Sequence, residues 1–142
     1  MKNVVIIGGG FAGINLANGL AGKKDFHVTV VDRNNYNFFS PLIYQVATSY
    51  LEPSSISYPF RRLWRGKENI SFHMAEFQKV VPGEHKIILS TGEMNYDYLV
   101  FATGTKTNYF GLENVQRSAL PMKTLNDAMY CMNTLNQFRK SK

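Results

Sequence analysis

Apolar residues change rhythm several times along this chain, and each rhythm predicts a different element. Val4–Ile7 is a continuous β-branched run, the pattern of a strand buried on both faces of a parallel sheet. Gly8, Gly9 and Gly10 break it. Phe11, Ile14, Ala17, Leu20 and Ala21 then recur at threes and fours, which predicts a helix with one apolar face, and Val28–Val31 is a second continuous run closed by Asp32. Residues 3–32 therefore read as a βαβ unit. Tyr36–Leu51 holds no charged residue and no clean period, and reads as an apolar loop that buries its aromatics while Ser40, Gln45, Thr48 and Ser49 keep hydrogen-bonding groups. Pro53-Ser54-Ser55 offers a helix start, with Ile56, Phe60, Leu63 and Trp64 as its stripe and Pro59 in its first turn. Alternation governs residues 70–102, where Pro82-Gly83 and Thr91-Gly92-Glu93 mark turns, so this region reads as a three-stranded meander whose last run, Tyr98–Ala102, is a buried strand. A last helix is expected over 124–139, with Thr124 and Asp127 at capping-box spacing and Leu125, Ala128, Met129, Met132, Leu135 and Phe138 on its apolar face.

The glycines fall in the spacing G-x-G-x-x-G. Gly8 suits a tight turn, Gly10 lets a pyrophosphate approach the backbone, and Gly13 lets the helix lie close to its strand. A helix that starts at such a turn offers free N–H groups and the positive end of its dipole to a phosphate. Asp32 ends the second strand near the offset expected of an acid that holds a ribose hydroxyl. Strand, glycines, helix, strand and acid in this order point to a nucleotide far more strongly than the glycines alone. At the end of the Tyr98 run, the small residues Ala102, Thr103 and Gly104 leave room for a ligand to approach the backbone.

Composition narrows the classes. The 142 residues suffice for one domain and one core, with room for one dinucleotide turn. Residues 3–22 carry no charge, yet the three glycines interrupt them too early for a membrane span or a signal-peptide core. The net charge of +6 is scattered except for Arg61, Arg62, Arg65 and Lys67, which reads as the solvated end of a helix and not as a nucleic-acid surface. A single cysteine, Cys131, leaves no internal disulfide, fits a reducing cytoplasm, and reads as a packed thiol. His73 and His85 have no acid or cysteine at ligand spacing, so no metal site is expected.

Four stretches together carry a family likeness: residues 5–13, residues 30–48, residues 96–104 and residues 122–128. They resemble the type II NADH dehydrogenases, the single-subunit NADH:quinone oxidoreductases, and Pro-Leu-Ile-Tyr-Gln-Val-Ala at 41–47 is the most specific piece. The resemblance implies an α/β Rossmann-like FAD/NAD(P)-binding fold, a parallel sheet with helices plus a three-stranded meander. It implies FAD at the first site, with Gly8, Gly10 and Gly13 on its pyrophosphate beside Phe11 and Ala12, Asp32 on the adenosine ribose and Arg33 near the adenine. Pro41 to Thr48, including Gln45, would border the isoalloxazine, and Ala102, Thr103 and Gly104 would close over the cofactor. In such enzymes NADH gives hydride to the flavin, which passes two electrons to a membrane quinone, at the cytoplasmic face of the cell membrane. Members carry a second glycine-rich unit for NADH, a later Gly-Asp motif, quinone-contacting glutamines and a membrane-binding C-terminal segment. None occurs here, and Ala75 stands where glycine is common. The resemblance thus implies an N-terminal, truncated portion of the FAD-binding domain, inactive alone and prone to self-association through an exposed strand edge. Disulfide reductases of this fold need a cysteine pair between residues 36 and 51 and are excluded, whereas a sulfide:quinone oxidoreductase-like flavoprotein and an inert nucleotide-binding module stay open.

Overall fold

The computed structural model describes residues 1–140. In chain order the elements are β1 (Lys2–Ile7), α1 (Phe11–Leu20), β2 (Phe26–Asp32), β3 (Tyr36–Phe38), a 3-10 turn at Ser40–Leu42, α2 (Ile43–Ala47), α3 (Pro53–Ile56), β4 (Ser57–Pro59), α4 (Phe60–Leu63), β5 (Ile70–Met74), β6 (Phe77–Val81), β7 (Lys86–Leu89), β8 (Gly92–Asn95), β9 (Tyr98–Phe101), α5 (Glu113–Ser118) and α6 (Leu125–Lys140). Although the sequence reads as one domain, the chain folds as two compact units. Met1–Asn37 and Tyr58–Gly104 make the first, and Phe38–Ser57 with the described part of Thr105–Lys142 makes the second.

A four-stranded parallel sheet, in the order β5-β2-β1-β9, carries the first unit. Ile7 stands opposite both Val31 and Phe101, so the carboxyl ends of β2, β1 and β9 line up. Because side chains alternate across a strand, β1 and β2 feed two cores. Val4, Ile6, Val28 and Val30 pack with Ala17 of α1, Phe60, Trp64 and Ile70, whereas Val5, Ile7 and Val31 pack with Ala75, Ile87 and Leu89 on the opposite face. Asn69 fixes the turn between α1 and β2: its amide nitrogen donates to the carbonyls of Leu20, Lys23 and Phe26, and its oxygen accepts from the Gly22 N–H at 2.8 Å.

The structure corrects the reading of 70–102 as one meander. The antiparallel meander is β6-β7-β8 alone, and β5 and β9 return to the parallel sheet on either side of β2 and β1. Their pairing partners lie far away in sequence, so local alternation could not separate them from the hairpins. Gly92, placed in a turn by the sequence, pairs with Leu89 and starts β8. Nor is β9 fully buried: it pairs with β1 on one side, and Tyr98 and Phe101 are each 54% exposed.

The helix expected from Pro53 to Trp64 is also broken. Ser57–Pro59 is extended and pairs with β3, because Pro59 lies beyond the first turn of a helix begun at Pro53 and pushes Tyr58 toward extended backbone. The stretch 36–51 buries its aromatics only in part, with Tyr36 and Phe38 half-buried. The short helix α2 buries Ile43, Val46 and Ala47 and packs on α6, while Phe39, Tyr44 and Tyr50 are exposed. α6 starts on reciprocal bonds: the Asp127 N–H donates to Thr124 Oγ1 at 3.1 Å, and Asp127 Oδ2 accepts from the N–H of Thr124 at 2.7 Å and of Lys123 at 3.0 Å. Burial alone would raise the Asp127 pKa, but these donors outweigh it and hold the carboxyl below its ordinary value. Cys131 is buried, with its thiol directed at the Pro121 carbonyl at 3.7 Å.

Asp97 closes the amino end of β1. Its carboxylate accepts from the Asn3 N–H at 2.7 Å and from Lys2 Nζ at 3.0 Å, and first the Asn3 donor, then the Lys2 ammonium, hold its pKa below the ordinary carboxylate value. A folded-state pKa below the unfolded one stabilises the fold above the unfolded pKa and loses that contribution as pH falls through the folded pKa. We therefore expect Asp97→Asn to be less stable than the parent at neutral pH and the gap to close on acidification below the carboxylate range, in urea titrations at several pH values. A gap independent of pH would refute this.

Candidate functional site

The glycine turn sits where β1 ends between its two neighbours. Gly8 has φ +107°, donates its N–H to the Val31 carbonyl at 2.8 Å, and backs onto β9 so closely that a Cβ there would lie 2.3 Å from the Ala102 carbonyl oxygen. No L side chain fits that backbone or that gap. Gly13 is tighter still, since its Cβ would meet the Gly8 carbonyl oxygen at 1.9 Å. Gly10 is the opposite case, with nothing within 4 Å of a Cβ, and its backbone is extended where it precedes α1. No side chain caps α1 and its first turn carries no acid. The helix start after Gly10 thus presents backbone N–H groups at the positive end of a dipole, with no side chain capping it.

Asp32 faces this turn. Its Oδ2 accepts from the Gly9 N–H at 2.7 Å and its Oδ1 from the Asn34 N–H at 2.9 Å, so the carboxylate is fixed at the carboxyl end of β2 with a lone pair left on each oxygen. Ala102 continues the β9 ladder, donating its N–H to the Ile7 carbonyl at 2.8 Å, and Thr103 and Gly104 follow it exposed, Gly104 at φ +69°. The structure thus brings Gly8, Gly10, Phe11, Ala12, Gly13, Asp32 and Ala102 to one end of the parallel sheet, with Arg33 exposed next to Asp32. Pro41, Gln45 and Thr48 belong to the second unit. There Pro41 lies in the 3-10 turn, the Gln45 amide donates to Tyr44 Oη at 3.0 Å, and the Thr48 hydroxyl donates to the Tyr44 carbonyl at 3.0 Å.

Two residues of this end escaped the sequence reading. A Cβ on Gly9 would stand 2.2 Å from Phe60 Cζ, and Phe60 is only 1% exposed, so the ring seals the turn from behind. The middle glycine of the run was the available signal, since the spacing motif asks nothing of it. Elsewhere, His73 Nε2 is hydrogen-bonded to Thr91 Oγ1 at 2.8 Å and His85 packs beside Tyr96. No group of His, Cys, Asp or Glu among the described residues could hold a metal ion, and no helix among them is long and apolar enough to cross a membrane.

The donor set fits an anionic diphosphate with a sugar beside it: an open glycine at an uncapped helix start, and a fixed carboxylate on the adjacent strand. Sheet and turn together define a Rossmann-like α/β fold of the dinucleotide-binding kind. Within that class, the chain belongs to the pyridine nucleotide-disulphide oxidoreductase family, whose model matches residues 2–138. Among curated relatives it is 34% identical over 130 residues to the type II NADH:quinone oxidoreductase NdhA of Mycobacterium tuberculosis, covering 89% of this chain and 27% of that protein. An external alternative NAD(P)H-ubiquinone oxidoreductase, B3, of Arabidopsis thaliana mitochondria is 32% identical over 154 residues, covering 99% of this chain and 26% of that protein. Among solved structures, the sulfide:quinone oxidoreductase of Aquifex aeolicus superposes with a TM-score of 0.88 at 28% identity, over 99% of this chain and 33% of that one. NDH2 of Plasmodium falciparum, in complex with NADH, superposes with a TM-score of 0.81 at 25% identity, over 92% of this chain and 28% of that one. The chain spans between about a quarter and a third of the length of these relatives.

Proposed function

We propose that this chain is the FAD-holding portion of a flavin-dependent NADH:quinone oxidoreductase. One observation carries the reading: an open Gly10 at the uncapped start of α1, with the Asp32 carboxylate fixed against the same turn. The names of the sequence relatives supply the substrates, NADH and a quinone. In this reading the backbone amides around Gly10, Phe11 and Ala12 bind the diphosphate, Gly8 and Gly13 shape the turn, Asp32 accepts from the adenosine ribose hydroxyls, and Arg33 lies by the adenine. Pro41, Gln45 and Thr48 border the flavin ring, and Ala102, Thr103 and Gly104 close over the cofactor. Bound FAD supplies a two-electron hydride acceptor, and this chain's residues bind and orient it without a general acid or base of their own. The enzyme works at the cytoplasmic face of a membrane, where its quinone is dissolved, and binds no nucleic acid. The open edge of β9 favours self-association of this chain.

The test is calorimetric titration of the chain with ADP, FAD and FMN. ADP and FAD should both bind weakly, because both present the adenosine and diphosphate, FAD the more tightly for its contacts along the flavin, and FMN should not bind. Equal binding of FMN and FAD, or no binding of ADP, overturns the reading. The chain alone should oxidise no NADH in the presence of a soluble quinone, since hydride transfer needs two dinucleotides held together and the sequence has one such turn. Quinone-dependent turnover above background would refute that. The TM-score of 0.88 to a sulfide:quinone oxidoreductase supports a second reading in which sulfide is the electron donor. The higher identity to the two NADH- and NAD(P)H-quinone oxidoreductases, 34% and 32% against 28%, favours the first.

A further inference from the structure

Residues 105–122 of the second unit form an arm that is exposed at every position but Tyr109 and Pro121. Among the described residues, the hydrogen bonds of residues 108–119 all close within the arm. Along α5 and its caps, Leu112, Val115 and Ala119 share one face, and Glu113, Asn114, Arg117 and Ser118 the other. The helix is amphipathic, yet both of its faces are in water. Two apolar residues of the arm also stand where local backbone rules favour polar ones. Phe110 and Gly111 have φ +52° and +77°, and the Leu112 N–H donates to the Tyr109 carbonyl at 2.9 Å. A hydrogen-bonded turn with both central residues left-handed is the type I′ form, which Asn-Gly or Asp-Gly fills most readily. A phenyl there is held against its backbone preference, and at 84% exposure it gains little packing in return. Leu112 is the N-cap of α5 and makes no cap bond, where Ser, Thr, Asp or Asn would make one.

We propose that this arm rests on an anionic lipid surface, with Phe110 and Leu112 inserted below the headgroups and Lys106 and Lys123 against their phosphates. Local rules broken without gain to the fold mark residues kept for another use. A short amphipathic segment with its apolar face uncovered is the form that lies in a membrane interface, that face among the acyl chains. The charge is complementary: residues 105–123 carry three cations against one acid, Glu113, which Arg117 already pairs at 3.0 Å. Lys123 Nζ donates to Thr105 Oγ1 at 2.8 Å, so Lys123 and Lys106 stand together at the root of the arm. Cations at the root and apolar side chains beyond them match headgroups over acyl chains, a layering that a protein surface lacks. The proposal deepens the reading of this chain as part of an enzyme whose quinone is dissolved in a membrane. Vesicle binding needs no nucleotide, so its failure would leave the ADP and FAD titrations to judge that reading.

The test is co-sedimentation of the whole chain with vesicles of about one-third phosphatidylglycerol in phosphatidylcholine. The chain should bind these, and bind phosphatidylcholine alone at least about tenfold more weakly. Phe110→Asn and Leu112→Ser each install the residue that the local backbone prefers, so their melting temperatures should equal or exceed the parent's. Each should nevertheless weaken binding to the anionic vesicles at least about tenfold, through the apolar area withdrawn from the acyl region. Tyr50→Ser, which removes an exposed aromatic outside the arm, should leave vesicle binding unchanged. The proposal is overturned if the parent ignores anionic vesicles, if both arm variants bind them as the parent does, or if Tyr50→Ser loses as much. It is equally overturned if Phe110→Asn converts a dimer to a monomer in sedimentation velocity while vesicle binding persists, since the arm is then an interface between copies. Melting temperatures lowered in both variants would show that the two side chains serve the fold, and would also overturn it.

Discussion

Gly13→Ala is expected to destabilise the fold by roughly 3 kcal/mol, the upper part of the range for forcing extra volume into a packed site. The obstacle is backbone: the new methyl would lie 1.9 Å from the Gly8 carbonyl oxygen and 3.1 Å from its carbon. Gly8 cannot retreat, because its N–H is bonded to the Val31 carbonyl and the Ala102 carbonyl fills the space where a Gly8 Cβ would stand. α1 would have to lift off the sheet and uncover Ala17 and Ile6, both at 0% exposure. Alanine's better helix propensity returns about 1 kcal/mol, too little to offset this. Gly10→Ala serves as the contrast. Its methyl meets nothing within 4 Å, so stability should change by less than about 0.5 kcal/mol, as at an ordinary surface position. That same methyl would stand in the space over the helix amides, and ADP binding should fall at least about tenfold, equivalent to 1.4 kcal/mol. Urea unfolding and ADP titration of the two variants decide the matter. A stable Gly13→Ala, or a Gly10→Ala that binds ADP as the parent does, would contradict the account of the turn.

The contrast also marks what could be read from the sequence. Val4–Ile7, the glycine spacing, the helix and Asp32 were legible because each depends on near neighbours and on a period the fold imposes directly. The reciprocal pair of Thr124 and Asp127 was legible for the same reason. What stayed hidden depends on contacts between distant residues. Phe60 reaches Gly9 across 51 positions, so nothing near either residue announces the seal. Ile70–Met74 alternates much as a hairpin strand does and Tyr98–Phe101 follows the hairpins directly, yet each is an outer strand of the parallel sheet whose partner lies far away in sequence. The apolar spacing of Ile56, Phe60, Leu63 and Trp64 is that of one helix, but it serves two short helices with a strand between them, because Pro59 interrupts the backbone whatever the side chains prefer.

On the proposed function Asp32 serves fold and ligand with one side chain, and its variants should separate the two. Asp32→Ala removes the acceptor from the N–H of Gly9, a buried residue, and from the N–H of Asn34, an exposed one that water can satisfy. The loss should be roughly 2 kcal/mol, most of it from Gly9, as for a hydrogen bond to a charged group. Asp32→Asn can keep its amide oxygen on Gly9 and turn its NH2 toward the solvent side at Asn34, so about half of that stability should return. Ligand binding should not return with it. In the proposed complex each carboxylate oxygen uses its second lone pair on a ribose hydroxyl, and the amide nitrogen has none to offer. ADP affinity should therefore fall at least about tenfold in both variants. Denaturation midpoints and ADP titrations, measured on the same two proteins, give the split. If Asp32→Asn restores binding along with stability, the carboxylate only holds the turn; if neither variant loses stability, the Gly9 bond does not support it.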